Sequence, residues 1–217
     1  MTKTTTTVRN ISMCRFIRTA ITLLVAFMTA LTVHADDHMQ VPAFGGVEVF
    51  GCDFAECKDK DDLLEVAEKW NKWASKNNSQ PYSGYVLQPY YYDDLDDETY
   101  WVGFSPSLAA QGIVQSEWMS KGAKLQQEFD SVIPCKSHLQ LAWTRVFDET
   151  ESPSSQGVVD FAGCAMLPDG SQEKLASADA KMNAFNAEIG SAVRIYRWYP
   201  MQGANADTPE FYQAQWY

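Results

Sequence analysis

The stretch that decides the fold is "VEVFGCDF", Val47 to Phe54. It reads as a buried strand with a Gly-Cys pair near its end. The same kind of stretch returns 112 residues later as "VVDFAGCAM", Val158 to Met166, with Gly163-Cys164 in place of Gly51-Cys52. Working outward from the first copy, Asp59 caps a helix, and Asp61 and Asp62 add negative charge to its first turn, where the helix dipole favours it. Leu63, Val66, Trp70 and Trp73 recur at helical spacing as one apolar stripe, which Asn77-Asn78 and Pro81 end. "SGYVLQPYYY" reads as a strand, "DDLDDE" as a turn and "TYWVGF" as a strand. Ser107 opens a second helical stretch carrying Val114, Trp118, Leu125, Phe129 and Val132, with a break expected near Gly122 and a stop at Pro134. "HLQLAWTRVF", His138 to Phe147, is a further strand.

The order β-α-β-β-α-β is the split-βαβ, ferredoxin-like arrangement. Val47 and Val49 point one way, Phe50, Cys52 and Phe54 the other. Both faces of the sheet are therefore apolar, and both need covering. After the polar linker "ETESPSSQG" (149–157) the pattern repeats. Val47 and Val49 align with Val159 and Phe161, and Glu48 with Asp160. Leu63, Trp70 and Trp73 align with Leu175, Met182 and Phe185, and Tyr100, Val102 and Phe104 with Tyr212, Ala214 and Trp216. The expectation is an α+β protein of tandem ferredoxin-like (βαββαβ) modules packed sheet to sheet. The first spans 36–148; the second, 158–217, is incomplete (βαββ).

Residues 1–35 read as a signal peptide. Arg9, Arg15 and Arg18 form a positive region, Ile21 to Val33 an apolar run, and Val33-His34-Ala35 a cleavage site. Four of the 17 basic residues and none of the 28 acidic ones lie there, which leaves 13 basic against 28 acidic and a net charge of −15. Such a surface repels nucleic acid and anionic lipid. The expected address is periplasmic or secreted, with no membrane contact after cleavage. Four cysteines remain beyond Cys14, and none forms a CxxC. Cys57 precedes the first helix and Cys135 follows the second, at one edge of the expected sheet, so a Cys57–Cys135 disulfide is the favoured pairing. Cys52–Cys57 is the alternative, and Cys52 and Cys164 are taken as buried thiols.

Two such modules resemble the dimeric α/β-barrel superfamily, which includes antibiotic-biosynthesis-monooxygenase-type proteins and haem-degrading monooxygenases. The resemblance is one of topology. The haem-degrading pattern places Asn on the first strand, Trp on the third and His on the second helix. Here the third strand carries Trp101, the first has no Asn, and His138 lies beyond the helix. No cofactor is implied.

The resemblance implies a space between the sheets for a small apolar or aromatic molecule, walled by Trp101, Trp143 and Phe50. A cofactor-free, monooxygenase-like activity there needs a group to deprotonate the substrate. His138, Tyr85 and Tyr100 are the candidates. A third reading is partner binding at open sheet edges, and homodimerisation is left open. No EF-hand spacing marks the acidic run Asp93 to Glu98, which reads as a solvated turn. Cleavage after Ala35 leaves Asp36-Asp37-His38, a chain start whose His38 imidazole suits square-planar Cu(II). Nothing resembles a P-loop, GxGxxG, serine elbow or zinc cluster.

Overall fold

The computed structural model describes residues 44–91, 97–147 and 157–217. The signal peptide, the His38 site, the linker up to Gln156 and the residues Asp93, Asp94 and Asp96 lie outside the described residues. The chain runs β1 (Gly45–Cys52), α1 (Lys60–Asn77), β2 (Ser83–Leu87), β3 (Thr99–Ser105), α2 (Leu108–Lys121), α3 (Ala123–Asp130) and β4 (Cys135–Phe147). It continues with β5 (Val159–Cys164), α4 (Gln172–Glu188), β6 (Arg194–Gln202) and β7 (Phe211–Trp216). Asp59 caps α1 through the Asp61 and Asp62 amides, and the Asp62 side chain returns a bond to the Asp59 amide, closing a capping box. Gly122 separates α2 from α3, the break its sequence position announced.

All seven strands form one antiparallel sheet in the order β2-β3-β1-β4-β6-β7-β5. The first four reproduce the ferredoxin-like order, with β1 between β3 and β4. The fold is thus mixed α+β and ferredoxin-like. The two halves are joined edge to edge, since the 13-residue β4 pairs with β1 along its first part and with β6 along its second.

The sheet curls. β3 and β6 are three strands apart, a distance of about 14 Å if flat. Yet the Phe104 ring sits 5.5 Å from Trp198 and 5.9 Å from Trp216. Val47, Val102, Leu141, Trp198 and Ala214 fill the concave side, with Trp143, Tyr196 and Tyr212 packed around them. On the convex side α1 and α3 bury Leu63, Val66, Trp70, Leu125 and Phe129 against Cys52 and Trp101. Gly45 lets the two strands close up on the concave side, because a Cβ there would overlap the Trp143 ring.

Two expectations are corrected. The disulfide joins Cys52 to Cys135, while Cys57 is an exposed free thiol in a left-handed turn (φ 60°). The reason is that β4 begins at Cys135, three residues earlier than the hydrophobic pattern indicates. That puts Cys135 in register with Cys52 on β1. Second, the Leu175, Ala178, Met182, Phe185, Ile189 stripe of α4 does not enter the core. Met182, Phe185 and Ile189 are exposed, and α4 meets the sheet through Asp179, Asn183 and Asn186. The sheet beneath it carries Arg197, whose charge draws in the polar side of the helix.

Candidate functional site

On the convex side, under α1, α2 and α3, lies a cavity of about 620 Å³. Trp70 and Trp73 from α1, Trp118 from α2 and Trp101 from β3 wall it. These rings brace one another edge to face: Trp70 with Trp101 at 5.1 Å and Trp73 with Trp118 at 4.9 Å. The floor is β1 and β4, presenting Glu48, Phe50, His138 and Gln140. Period-2 alternation sets this floor, because Phe50 pairs with His138 and Glu48 with Gln140 across the β1–β4 ladder.

Glu48 is the chemical centre. Its side chain is only 8% exposed and accepts three hydrogen bonds. Tyr82 Oη donates to Oε1 at 2.7 Å, Gln115 Nε2 to Oε2 at 2.9 Å, and His138 Nε2 lies 3.1 Å from Oε2. Burial pushes the carboxyl pKa up. The hydrogen bonds from His138, Tyr82 and Gln115 outweigh it, and the net result lies below the usual glutamate value. Glu48 is therefore an ionised acceptor. Burial, reinforced by the Glu48 charge, holds the Tyr82 phenol well above its ordinary value, so it stays a neutral donor. Tyr82 in turn accepts from Trp101 Nε1 at 3.2 Å. Gly103 makes room for this, since a Cβ there would overlap the Tyr82 hydroxyl.

The network fixes the His138 tautomer. An ionised carboxylate cannot donate, so Nε2 carries a proton, and in the neutral ring the lone pair sits on Nδ1. The ring lies flat on Phe50 with centroids 3.8 Å apart and is 47% exposed at the cavity. An imidazole of fixed orientation, beside aromatic walls, is an arrangement for proton transfer to or from a flat ligand.

His138, Phe50 and Trp101 thus share one cavity, but the other candidates do not join them. Tyr85 pairs with Val102 and meets Phe104 at 5.7 Å, and Tyr100 packs in the concave cluster. Trp143 also faces that side, against Tyr196 at 5.6 Å, with its Nε1 donating to the Ser105 carbonyl at 3.2 Å. The sheet separates these three from His138. Glu48, Tyr82 and Gln115 were not singled out as candidates. The only signal for Glu48 was a charged residue inside an apolar strand, on the same side as Phe50.

No family model matches the chain, and no curated protein matches it. Among solved structures it is similar to a protein described as a putative chlorite dismutase (TA0507), at 13% identity and TM-score 0.50, covering 81% of this chain and 80% of that one. A double mutant of the chlorite dismutase from Candidatus Nitrospira defluvii matches at 11% identity and TM-score 0.47, covering 82% and 78%. At these identities the likeness is one of fold. It places the chain among ferredoxin-like α/β structures, without singling out the antibiotic-biosynthesis-monooxygenase branch.

The reading as a binder with its ligand between the sheets is overturned. The neighbour that shares the fold is described as a putative chlorite dismutase rather than a ligand binder, and the concave space is packed with aromatic rings. The disulfide, and the finding that no described helix is long and apolar enough to cross a membrane, are compatible with an exported soluble protein.

Proposed function

We propose that the convex-side cavity is an enzyme site for a flat, ring-bearing small molecule, with His138 as the general base. The observation that carries it is the buried Glu48 carboxylate, which accepts from His138 Nε2 on the cavity floor and so puts the lone pair of the neutral ring on Nδ1. A ligand ring stacks among Trp70, Trp73, Trp101 and Trp118. Its acidic O–H or N–H gives its proton to Nδ1, and Glu48 stabilises the imidazolium that forms. Tyr82 and Gln115 keep Glu48 from turning away. Supporting the wider architecture, the strand orders β2-β3-β1-β4 and β6-β7-β5 agree with the aligned repeat, which favours tandem modules fused at β4 and β6.

Chlorite dismutase-like proteins are haem enzymes, and the residues present bear on whether haem fits here. The cavity has the volume and flat walls for a tetrapyrrole. Among the described lining residues the one uncommitted donor beyond His138 is the Met119 thioether, a weak iron ligand on its own. The unhindered imidazole nitrogen of His138, Nε2, is turned to Glu48, and Nδ1 adjoins the side-chain attachment. Tyr82 is committed to Glu48, and Cys135 to its disulfide. The described residues do not fit an iron porphyrin.

The test has two parts. Nitrogen NMR of the free protein is expected to show His138 protonated on Nε2 and bare on Nδ1. Titration with 2-naphthol is expected to quench tryptophan fluorescence, with binding at least tenfold weaker in His138→Ala. A proton on Nδ1, or equal binding by the variant, overturns the reading. A haemin titration that develops a ligated-iron spectrum dependent on His138 overturns the exclusion of haem.

A further inference from the structure

A second space of about 700 Å³ lies beneath α4, on the convex side of β4 and β6, away from the Glu48 site. Its polar lining is built around Arg197, of which 5% is exposed. Nη1 and Nη2 of Arg197 are committed to Asp179 at 2.8 and 3.0 Å, and Nη2 also reaches Gln213 at 3.4 Å. Its Nε–H makes no well-aligned hydrogen bond; against burial, which lowers it, Asp179 and the neighbouring Tyr199 hydroxyl raise the Arg197 pKa. On the facing helix, Asn183 Nδ2 donates to the Val146 carbonyl at 2.7 Å. A carbonyl only accepts, so the orientation of this amide is fixed, and its Oδ1 is a buried acceptor without a donor. The site therefore holds one orphan donor and one orphan acceptor. Such buried groups are satisfied by a ligand or by an ordered water.

The charge narrows the class. The Arg197–Asp179 pair cancels, so the site does not call for a further anion through that arginine. A carboxylate would also leave Asn183 Oδ1 without a donor. A neutral ligand that both accepts and donates satisfies both. We infer that the space beneath α4 is a second binding site, for a neutral ligand that presents an amide-type C=O and N–H pair. Phe44, Leu108 and Met201 supply the apolar contact for the rest of the ligand.

Both orphan atoms lie under α4, so the ligand enters as this helix shifts outward. The helix is built to allow it. Its apolar residues Met182, Phe185 and Ile189 face outward, and Ala176 and Ala180 line the space it covers. Its ties to the sheet include the Arg197–Asp179 and Asn183–Val146 contacts.

Benzamide and benzoate are a matched pair of probes: the same ring, one neutral with donor and acceptor, the other an anion without a donor. With the full chain, benzamide is expected to shift the Arg197 Nε–H resonance and slow hydrogen exchange along α4. Asn183→Leu is expected to weaken it at least tenfold, with thermal melting confirming that the variant is folded. If that variant fails to fold, the Arg197 resonance in the unaltered protein decides alone. Benzoate binding as tightly as benzamide overturns the inference in favour of an anion site. No shift with either probe at millimolar concentration overturns it in favour of a groove that holds only water.

Discussion

Removing the Tyr82 hydroxyl tests the Glu48 network most directly. In Tyr82→Phe the carboxylate loses its 2.7 Å donor, and Trp101 Nε1 loses its acceptor. A hydrogen bond to a charged group contributes about 1.5–3 kcal/mol, and an orphaned buried N–H costs about 1 kcal/mol or more. The expected loss is thus about 2.5–4 kcal/mol, or roughly 5–15 °C in melting temperature for a domain of this size. Replacing Glu48 by Gln keeps the shape and removes the charge. Urea unfolding of both single variants and the double variant yields their coupling, expected to be on the order of 1–2 kcal/mol. A coupling below about 0.5 kcal/mol refutes the claim that Tyr82 acts through the Glu48 charge. The pH profile gives a second check. Because the folded pKa of Glu48 is lowered, its stabilisation is complete above the unfolded value of 4.5 and disappears as pH falls through the folded value. The unaltered protein should therefore lose stability below about pH 4.5 more steeply than Glu48→Gln. Parallel curves would contradict the ionised state assigned to Glu48.

Peptide mapping without reduction should recover Cys52 joined to Cys135 and Cys57 alkylated; a Cys57-containing disulfide would overturn the register at the end of β4. Reducing or deleting that bridge, which closes a sequence separation of 83 residues, should cost on the order of 4 kcal/mol by the chain-entropy estimate, read from denaturant unfolding. Gly103→Ala drives a methyl into Tyr82 and should destabilise by roughly 1–3 kcal/mol while weakening 2-naphthol binding; an unchanged melting point would mean the hydroxyl lies elsewhere. Asp179→Ala leaves the Arg197 charge buried without its partner and should cost on the order of 3 kcal/mol, measured by thermal unfolding, with α4 exchanging fastest.

The strands and helices of the first half were legible because their patterns are local. The capping Asp59, the tryptophan stripe of α1 and the alternation of Val47 and Val49 depend on neighbours a few residues away. The disulfide was misread because it depends on where β4 begins, and "CKS" before His138 has no hydrophobic alternation to mark it. The site was half legible. His138, Phe50 and Trp101 stood out as chemistry-bearing types, but the carboxylate that orients His138 lies 90 residues earlier in the chain. No spacing rule connects them; only the pairing of β1 with β4 does. Tyr85, Tyr100 and Trp143 were grouped with them because curling was not foreseen: whether a strand residue lines a ligand space depends on which side the helices cover. The α4 stripe failed for a related reason. Its period was right, but the polar surface beneath it, centred on Arg197, belongs to a strand that follows it.

The long strand β4 serves two owners at once. Along it, His138 and Gln140 belong to the convex cavity, Leu139, Leu141 and Trp143 to the concave packing, and Ala142 and Thr144 to the space under α4. Such a strand tolerates spelling changes but not frame changes. Deleting a single residue between His138 and Trp143 would trade the occupants of the two sides, sending the imidazole into the aromatic interior or the indole under the helices. Across descendants of this chain, β4 should therefore vary by replacement while keeping its length, and gaps should gather in the turns that flank it.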